Sequence, residues 1–435
     1  MTFRRFISTF SSIILTLLCQ NAVWGAQPAL KSAAPVTLRQ CYEWAKGRSE
    51  NLKIRMEDIE QSDEQARSAL SGALPHFDWK LNDTYQDPQG VSKLDSAGFS
   101  GFVEKNQIES KFTVEQPLFS GLREFSAYAG FKRERARNVL LLERAVQQLF
   151  ENTADTFYTV LSYESDWENT HSALVLAEDR VKQLIGFRKL GKSRKTEVYT
   201  AKARALSMRA RLDQIQAGIN SAREDLSYLS GKDLSTAPLV DEIPSPPVFE
   251  PLAAALEAGA QRSDIRAQRE ELAAKERRIR YEKGFYWPTA DLSGNYYTRR
   301  ATFLRDINWD VTLSVDMPLY QGGRVSANVR EAMSSYRQAQ LMLEEMERDI
   351  YHSIRKIHNE LSMSILEAKS SEEAARAAQQ SYDALLGEYK LGLVTNLDVL
   401  EALDLLQSQK SARDAARLKA KRLFIELNVA MEREP

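Results

Sequence analysis

Two stretches of this chain hold no proline: 120 residues between Pro117 and Pro238, and 116 between Pro318 and Pro435. Proline removes a helical hydrogen bond and shapes turns, so most globular chains are interrupted far more often. Runs of this length predict very long helices. The remaining prolines concentrate at Pro75, Pro117, Pro288 and Pro318, and in the segment KDLSTAPLVDEIPSPPVFEP from Lys232 to Pro251.

The proline pattern is duplicated because the chain is. Arg48-Ser49 returns as Arg262-Ser263, Leu74-Pro75 as Trp287-Pro288, Gln116-Pro117-Leu118-Phe119 as Met317-Pro318-Leu319-Tyr320, and Lys189-Leu190-Gly191 as Lys390-Leu391-Gly392. The first two pairs are 214 and 213 residues apart and the last two 201, so a 12-residue insertion falls between Pro75 and Pro117 in the first half. The expected organisation is a first repeat at 26–231, a proline-rich linker at 232–251 and a second repeat at 252–435. Each repeat reads as helix, two strands, very long helix, turn and helix. The expected strands are 76–86, 107–117, 289–298 and 309–318, with turns at 190–196 and 391–396.

Alternating steps of three and four from Val139 meet Leu142, Val146, Leu149, Thr153, Thr156, Val160, Tyr163, Trp167, Thr170, Leu174, Ala177, Val181 and Leu184. The same phase, shifted by 201, meets Ile354, Ile357, Leu361, Ser364, Ala368, Ser371, Ala375, Ala378, Tyr382 and Leu385. Both long helices therefore carry one coiled-coil seam. Its many Ala, Ser and Thr residues favour close side-by-side packing over a thick core. A helix from Leu122 to Leu190 would run ~100 Å at 1.5 Å per residue.

Before each long helix the period switches to two. Phe77, Trp79, Leu81 and Tyr85 alternate with His76, Asp78, Lys80, Asn82 and Thr84; Ile108, Phe112 and Val114 alternate with Glu109, Lys111, Thr113 and Glu115. In the second half Ala290, Leu292 and Tyr296 oppose Asp291, Ser293 and Asn295, while Trp309, Val311, Leu313, Val315 and Met317 alternate with Asp310, Thr312, Ser314 and Asp316. A soluble sheet packed on helices would also alternate. Aromatic residues near the strand ends and charge on the polar face fit a membrane barrel with a wet interior. Four strands cannot close, since closure takes at least ~8, so protomers would have to share one barrel. The loops Asp87–Asn106, which carries the insertion, and Arg299–Asn308 would then face outside the cell.

Composition excludes other classes. A net charge of −1 gives no electrostatic footprint for nucleic acid, and 27% charged residues exclude a polytopic helical membrane protein. The first 25 residues read as a secretory signal: Arg4 and Arg5 precede an apolar run from Phe6 to Leu18, with Val23 and Gly25 before the cut. The run is shorter than the ~20 residues of a membrane anchor. Cys19 follows leucine rather than the small residue of a lipoprotein signal. With the signal removed, Cys41 is the single cysteine and no intrachain disulfide forms.

Motifs for chemistry are weak. Gly186 to Ser193 fits the phosphate loop GxxxxGK[ST], but its preceding residues continue the helical seam instead of forming a strand. His76, His171, His352 and His358 show no ligand spacing. No cofactor or metal is expected, and no catalytic residue. At the second turn Asp398 and Glu401 project from one face of the helix start; acids there complement the helix dipole, with Asn396 as the expected N-cap.

The duplicated plan, with RKLGKSRKTEVYTA in the first half and YKLGLVTNLDVLEA in the second, resembles the TolC family of outer-membrane efflux proteins over essentially the whole mature chain. The resemblance implies a mainly α fold with a small β part: a homotrimer whose long hairpins form an α-helical barrel in the periplasm and whose four strands per protomer build a shared 12-stranded transmembrane β-barrel. It implies an exit duct without catalysis, docked on a periplasmic adaptor (membrane fusion protein) and through it on an inner-membrane pump. Trp79, Tyr85, Phe112, Val114, Leu292, Tyr296, Trp309 and Leu313 would face outer-membrane lipid. Asp398 and Glu401 match the acidic rings of the periplasmic gate, and Thr196, Glu197 and Tyr389 match polar latching positions. Val394 stands where the family has a latching arginine, so Arg194 or Lys195 is expected to pair with Asp398 or Glu401 instead. Leu190, Gly191, Leu391, Gly392 and Leu393 are the implied adaptor contacts. The alternatives are a poreless periplasmic adaptor or coiled-coil scaffold, which would carry one hairpin inserted in β-rich modules, and a nucleotide-binding enzyme.

Overall fold

The computed structural model describes residues 35–94, 97–98, 106–244, 246–300 and 304–433; the expected signal sequence lies outside them. The first half runs β1 (Val36–Thr37), α1 (Leu38–Arg48), α2 (Glu50–Ser71), β2 (His76–Tyr85), α3 (Pro88–Leu94), β3 (Asn106–Phe119), α4 (Arg123–Lys189) and α5 (Lys195–Ser230). The second runs β4 (Leu239–Val240), α6 (Leu252–Gly259), α7 (Ser263–Lys283), β5 (Thr289–Arg299), β6 (Trp309–Asp316), α8 (Arg324–Leu391) and α9 (Asn396–Ala430). The molecule is mostly helical, with α4 and α8 spanning 67 and 68 residues.

Three features depart from the sequence reading. The helix before each strand pair is split in two: Ser49 leaves the helical path and its side chain caps α2, and Arg262 leaves it before α7 without a side-chain cap. The first outer loop is not wholly irregular: Asp87 accepts hydrogen bonds from the Gln89 and Gly90 amides, and Pro88 at the first helical position starts α3. Third, the linker is not a bare connection. Its β4 pairs in parallel with β1, and Asp241 accepts from the Tyr158 hydroxyl at 2.7 Å while pairing with Lys421. One carboxylate thus ties α4 and α9, from different repeats, to the linker between them.

The long helices start and stop by the same devices in both halves. Gly121 and Leu122 adopt φ of 70° and 60° before α4; Gly322 and Gly323 adopt 62° and 80° before α8. A left-handed pair turns the chain sharply from strand into helix. At the far ends Gly191 (φ 73°) and Gly392 (φ 76°) reverse the chain, with the Lys192 amide bonded to the Phe187 carbonyl and the Leu393 amide to that of Glu388. This is the left-handed glycine C-cap that satisfies the last carbonyls.

Burial is thin and two-sided. Side chains of α4 pack against α2, α7, α5 and α9, so its buried set includes Phe150, Ala154, Phe157 and Tyr158 besides the seam residues Thr153, Val160 and Thr170. A single three-four stripe captures only part of this. Around the waist Cys41, Tyr42, Phe150, Phe157, Tyr158, Leu226 and Val429 form the thickest cluster. Cys41 is fully enclosed, and burial pushes its thiol up to about 11. At pH 8 roughly a thousandth would be thiolate, the reactive form. A polar maleimide should therefore leave Cys41 unmodified in the folded protein and label it on denaturation; rapid labelling of the native protein would contradict this packing.

The four long strands form one antiparallel sheet in the order β2-β3-β5-β6. Its register aligns Trp79, Phe112, Tyr296 and Trp309 in one row across all four strands. The next rows bring Phe77 beside Val114, and Leu292 beside Leu313. All eight residues read as lipid-facing lie on this one face, and Trp79, Tyr85, Tyr296, Trp309 and Leu313 are more than half exposed. The opposite face carries Lys80 paired with Glu115 at 3.2 Å, Lys111 with Glu109 at 3.1 Å, and Asn295 bridging Thr113 and Asp310 at 2.9 and 2.8 Å.

Candidate functional site at the hairpin tips

The helical end farthest from the sheet brings both glycine turns together. Leu184, Val198, Ala201 and Leu400 pack there, with Val181 and Tyr389 against them. These small and apolar contacts set the second hairpin's turn beside the first. Leu190, Leu391 and Leu393 are 70%, 77% and 72% exposed, so the tips present leucines to solvent rather than to their own core.

The start of α9 is set by Thr395, not by Asn396. Thr395 holds extended backbone (φ −87°, ψ 164°), and its hydroxyl accepts from the Asp398 amide at 3.4 Å. In return Asp398 Oδ2 accepts from the Thr395 amide and hydroxyl, both at 2.7 Å, a reciprocal capping box. The Thr395 hydroxyl, followed by its amide, holds the Asp398 carboxyl below the usual carboxylate range. Glu197 does the corresponding work at α5, accepting from the Arg194 amide at 3.2 Å and the Ser193 hydroxyl at 2.6 Å. Thr196 is exposed on the first turn of α5 and Glu401 on the second turn of α9.

The expected pairing of Arg194 or Lys195 with Asp398 or Glu401 does not occur within the protomer. Lys195 lies over the Tyr199 ring at 5.3 Å. The cation that joins the two hairpins is Arg180, which the sequence reading passed over. Its Nε donates to Asn396 Oδ1 at 2.8 Å, and its guanidinium sits 3.6 Å from the centre of the Tyr389 ring. Asn396 is drawn inward by this contact and is 3% exposed. Burial pulls the Arg180 guanidinium below the usual arginine range, opposed by the phenols of Tyr389 and Tyr382. About two turns further along α9, Asp404 forms an ion pair with Arg204 of α5, a second bridge between hairpins. The available signal was helical spacing: three from Ala177 falls on Arg180, on the same helix face as the buried Ala173, Ala177 and Leu184.

The phosphate-loop string forms no phosphate cradle. Gly186 lies inside α4, and no strand precedes it.

Long helical hairpins capped at one end by an open amphipathic sheet, with acids at the opposite turns, define a class of envelope-spanning ducts. Residues 255–431 match the family model described as "Outer membrane efflux protein". The chain is 24% identical to outer membrane protein TolC of Escherichia coli (strain K12) over 416 residues, covering 90% of this chain and 81% of that protein. It is 22% identical to the proteases secretion protein PrtF of Dickeya chrysanthemi, covering 85% and 82%. Among solved structures it superposes on CusC with a TM-score of 0.81 at 14% identity, covering 95% of each chain. On VceC of Vibrio cholerae the TM-score is 0.78 at 20% identity, covering 91% and 95%. The second half of the chain thus matches the outer-membrane efflux family model, and most of its length is similar to TolC and related outer-membrane proteins. That similarity places it in the outer membrane with a helical periplasmic extension, and the family whose model matches is one of efflux ducts.

Proposed function

We infer that three copies of this chain form the outer-membrane exit duct of an efflux or secretion system and conduct substrates passively. The observation that carries the reading is the sheet: β2 and β6 are open edges, one face is apolar and exposed, and the other is charged. In lipid each unpaired backbone group costs several kcal/mol, so the edges require partners. Three protomers supply twelve strands in one barrel, the number the family implies.

The helices support the same assembly. Side by side they run α2-α4-α7-α8 near the sheet and α5-α4-α9-α8 towards the tips. The flank of α8 leaves Leu341, Met342, Met363 and Leu366 more than half exposed, and α2 and α5 leave Ile54 and Leu206 so. By the internal repeat, α8 would meet the next protomer's α2 and α5 as α4 meets α7 and α9. The leucine tips would dock on a periplasmic adaptor, which engages an inner-membrane pump. Asp398 and Glu401 would form acidic rings where the tunnel narrows. A scaffold without a pore would leave the apolar sheet face without a partner.

Membrane fractionation followed by planar-bilayer recording tests the duct; a soluble monomer without channel activity overturns it. For the gate, an Asp398→Ala, Glu401→Ala variant is expected to change single-channel conductance and lower cation preference several-fold. Because Asp398 also caps α9, the Asp398→Asn, Glu401→Gln pair separates charge from capping and should lose the preference too. Unchanged conductance and selectivity in both would remove the gating role.

A further inference from the structure

We propose that the cavity where α7 and α9 meet end to end binds an amphiphilic organic cation, so that the duct carries a resting site for such cations at its waist. That the cavity opens into the tunnel rests on the duct reading above. Between α4 and α8 the wall is made by α7 towards the sheet and by α9 towards the tips. Their ends touch: the Ser263 amide and hydroxyl at the start of α7 donate to Glu432, just past α9, at 2.6 Å each. Beside this break is a cavity of about 470 Å³, enough for a drug-sized ligand.

Its lining is two-natured. Met346, Ile350 and Ile357 of α8 give an apolar floor, while Glu151, Glu345, Asp349 and Glu426 bring acids from three helices. None of these four carboxylates has an ion pair or side-chain hydrogen bond among the described residues. The guanidiniums of the same wall are already engaged, Arg262 by Asp264 and Arg144 by Asp264 and Glu432. A cation with an apolar body matches both the floor and the unpaired charge; a small hydrated ion matches only the charge. Burial pushes the Glu151 carboxyl up despite Arg144, and burial followed by Glu151, Asp155 and Glu360 pushes Glu426 up. A positive guest would relieve that crowding.

The mouth faces away from the layer that covers the helices. Gly259 of α6 packs on Ile354, and the Glu250 carbonyl of the linker meets His358 Nε2 at 3.2 Å, so that side of α8 is covered. Glu345 lies nine residues from Ile354, about two and a half turns, and Asp349 five, so both stand away from the covered side and are exposed. In a duct that must stay open, the covered side is the outside and these acids face the tunnel. The corresponding break in the first repeat, between α2 and α5, has a cavity of about 350 Å³ whose charged lining is one carboxylate, Glu50, and one guanidinium, Arg48. It offers no excess charge to a guest.

The probe is tetraphenylphosphonium, set against tetramethylammonium, which carries the same charge without the apolar body. In planar bilayers tetraphenylphosphonium should block single wild-type channels at a concentration roughly tenfold lower than tetramethylammonium. Glu151→Gln combined with Glu426→Gln, in a trimer that stays detergent-resistant, should raise the half-blocking concentration of tetraphenylphosphonium roughly tenfold, and Glu50→Gln should leave it unchanged. Equal block by the two cations, which a uniformly acidic wall would give, overturns the site, as does equal block of wild type and the Gln pair. If that pair does not assemble, Asp349→Asn, an exposed position, should weaken block in the same direction, and wild-type block there overturns the site. A wild-type protein without a pore defeats the duct reading, and equilibrium dialysis of the purified protein then decides the cavity alone: saturable tetraphenylphosphonium binding that the Gln pair loses supports it, and no saturable binding overturns it.

Discussion

Arginine at Leu313 should abolish outer-membrane assembly, while arginine at the next residue, Ser314, should leave it intact. Leu313 pairs with Leu292 on the face that also carries Trp309 and Val311, and is 60% exposed. Ser314 pairs with Asp291 on the opposite face, near Asp316. A charge on the lipid side of a barrel costs ~2–4 kcal/mol near the bilayer midplane, and in a trimer it is incurred three times over. On the lumen side the same guanidinium finds water and carboxylates. Membrane fractionation with a gel assay for detergent-resistant trimer reads the difference. Equal behaviour of the two variants would mean that this sheet does not meet lipid on one face and water on the other.

That contrast is available because alternation in strands is a local signal. Each of β2, β3, β5 and β6 repeats an apolar-polar period long enough to read alone, and a one-residue slip would invert it. The pairing of β1 with β4 is only two residues long and joins segments some 200 residues apart, so neither alternation nor length marks it. The long helices were legible from the missing prolines and the glycine stops. The breadth of burial on α4 was not, since stepping three and four follows one stripe while five helices pack along it.

At the tips, the acids at Asp398 and Glu197 were readable as first-turn residues of their helices. Which neighbour caps α9 was not, because a cap depends on backbone conformation and on what else claims the side chain. Asn396 is a good N-cap by type, yet its amide oxygen is taken by Arg180 from another hairpin. Sequence patterns assign an isolated arginine to solvent. Arg180 is a tertiary exception, and its role depends on Tyr389 and Asn396, both more than 200 residues away in the chain.

The junction between sheet and helices should be as intolerant as the lipid face, and unequally so in the two repeats. Gly121→Ala is expected to prevent assembly, whereas Gly322→Ala should assemble with a lowered heat-dissociation temperature. Both glycines have positive φ, 70° and 62°, so both substitutions meet the left-handed penalty of ~1–2 kcal/mol. Only at Gly121 would the added carbon collide with backbone: it would sit well inside 3.0 Å of the Gly284 carbonyl oxygen, while around Gly322 there is open space. Overpacking adds ~1–3 kcal/mol more when the neighbour cannot retreat. Retreat is blocked because Gly284 begins the turn that leads into β5, and β5 pairs with β3 directly, Ala290 opposite Phe119. Moving the two backbones apart would therefore pull on the seam that joins the first repeat's strands to the second's. Comparable dissociation temperatures for the two variants would show that the Gly121–Gly284 approach is not what holds the repeats in register.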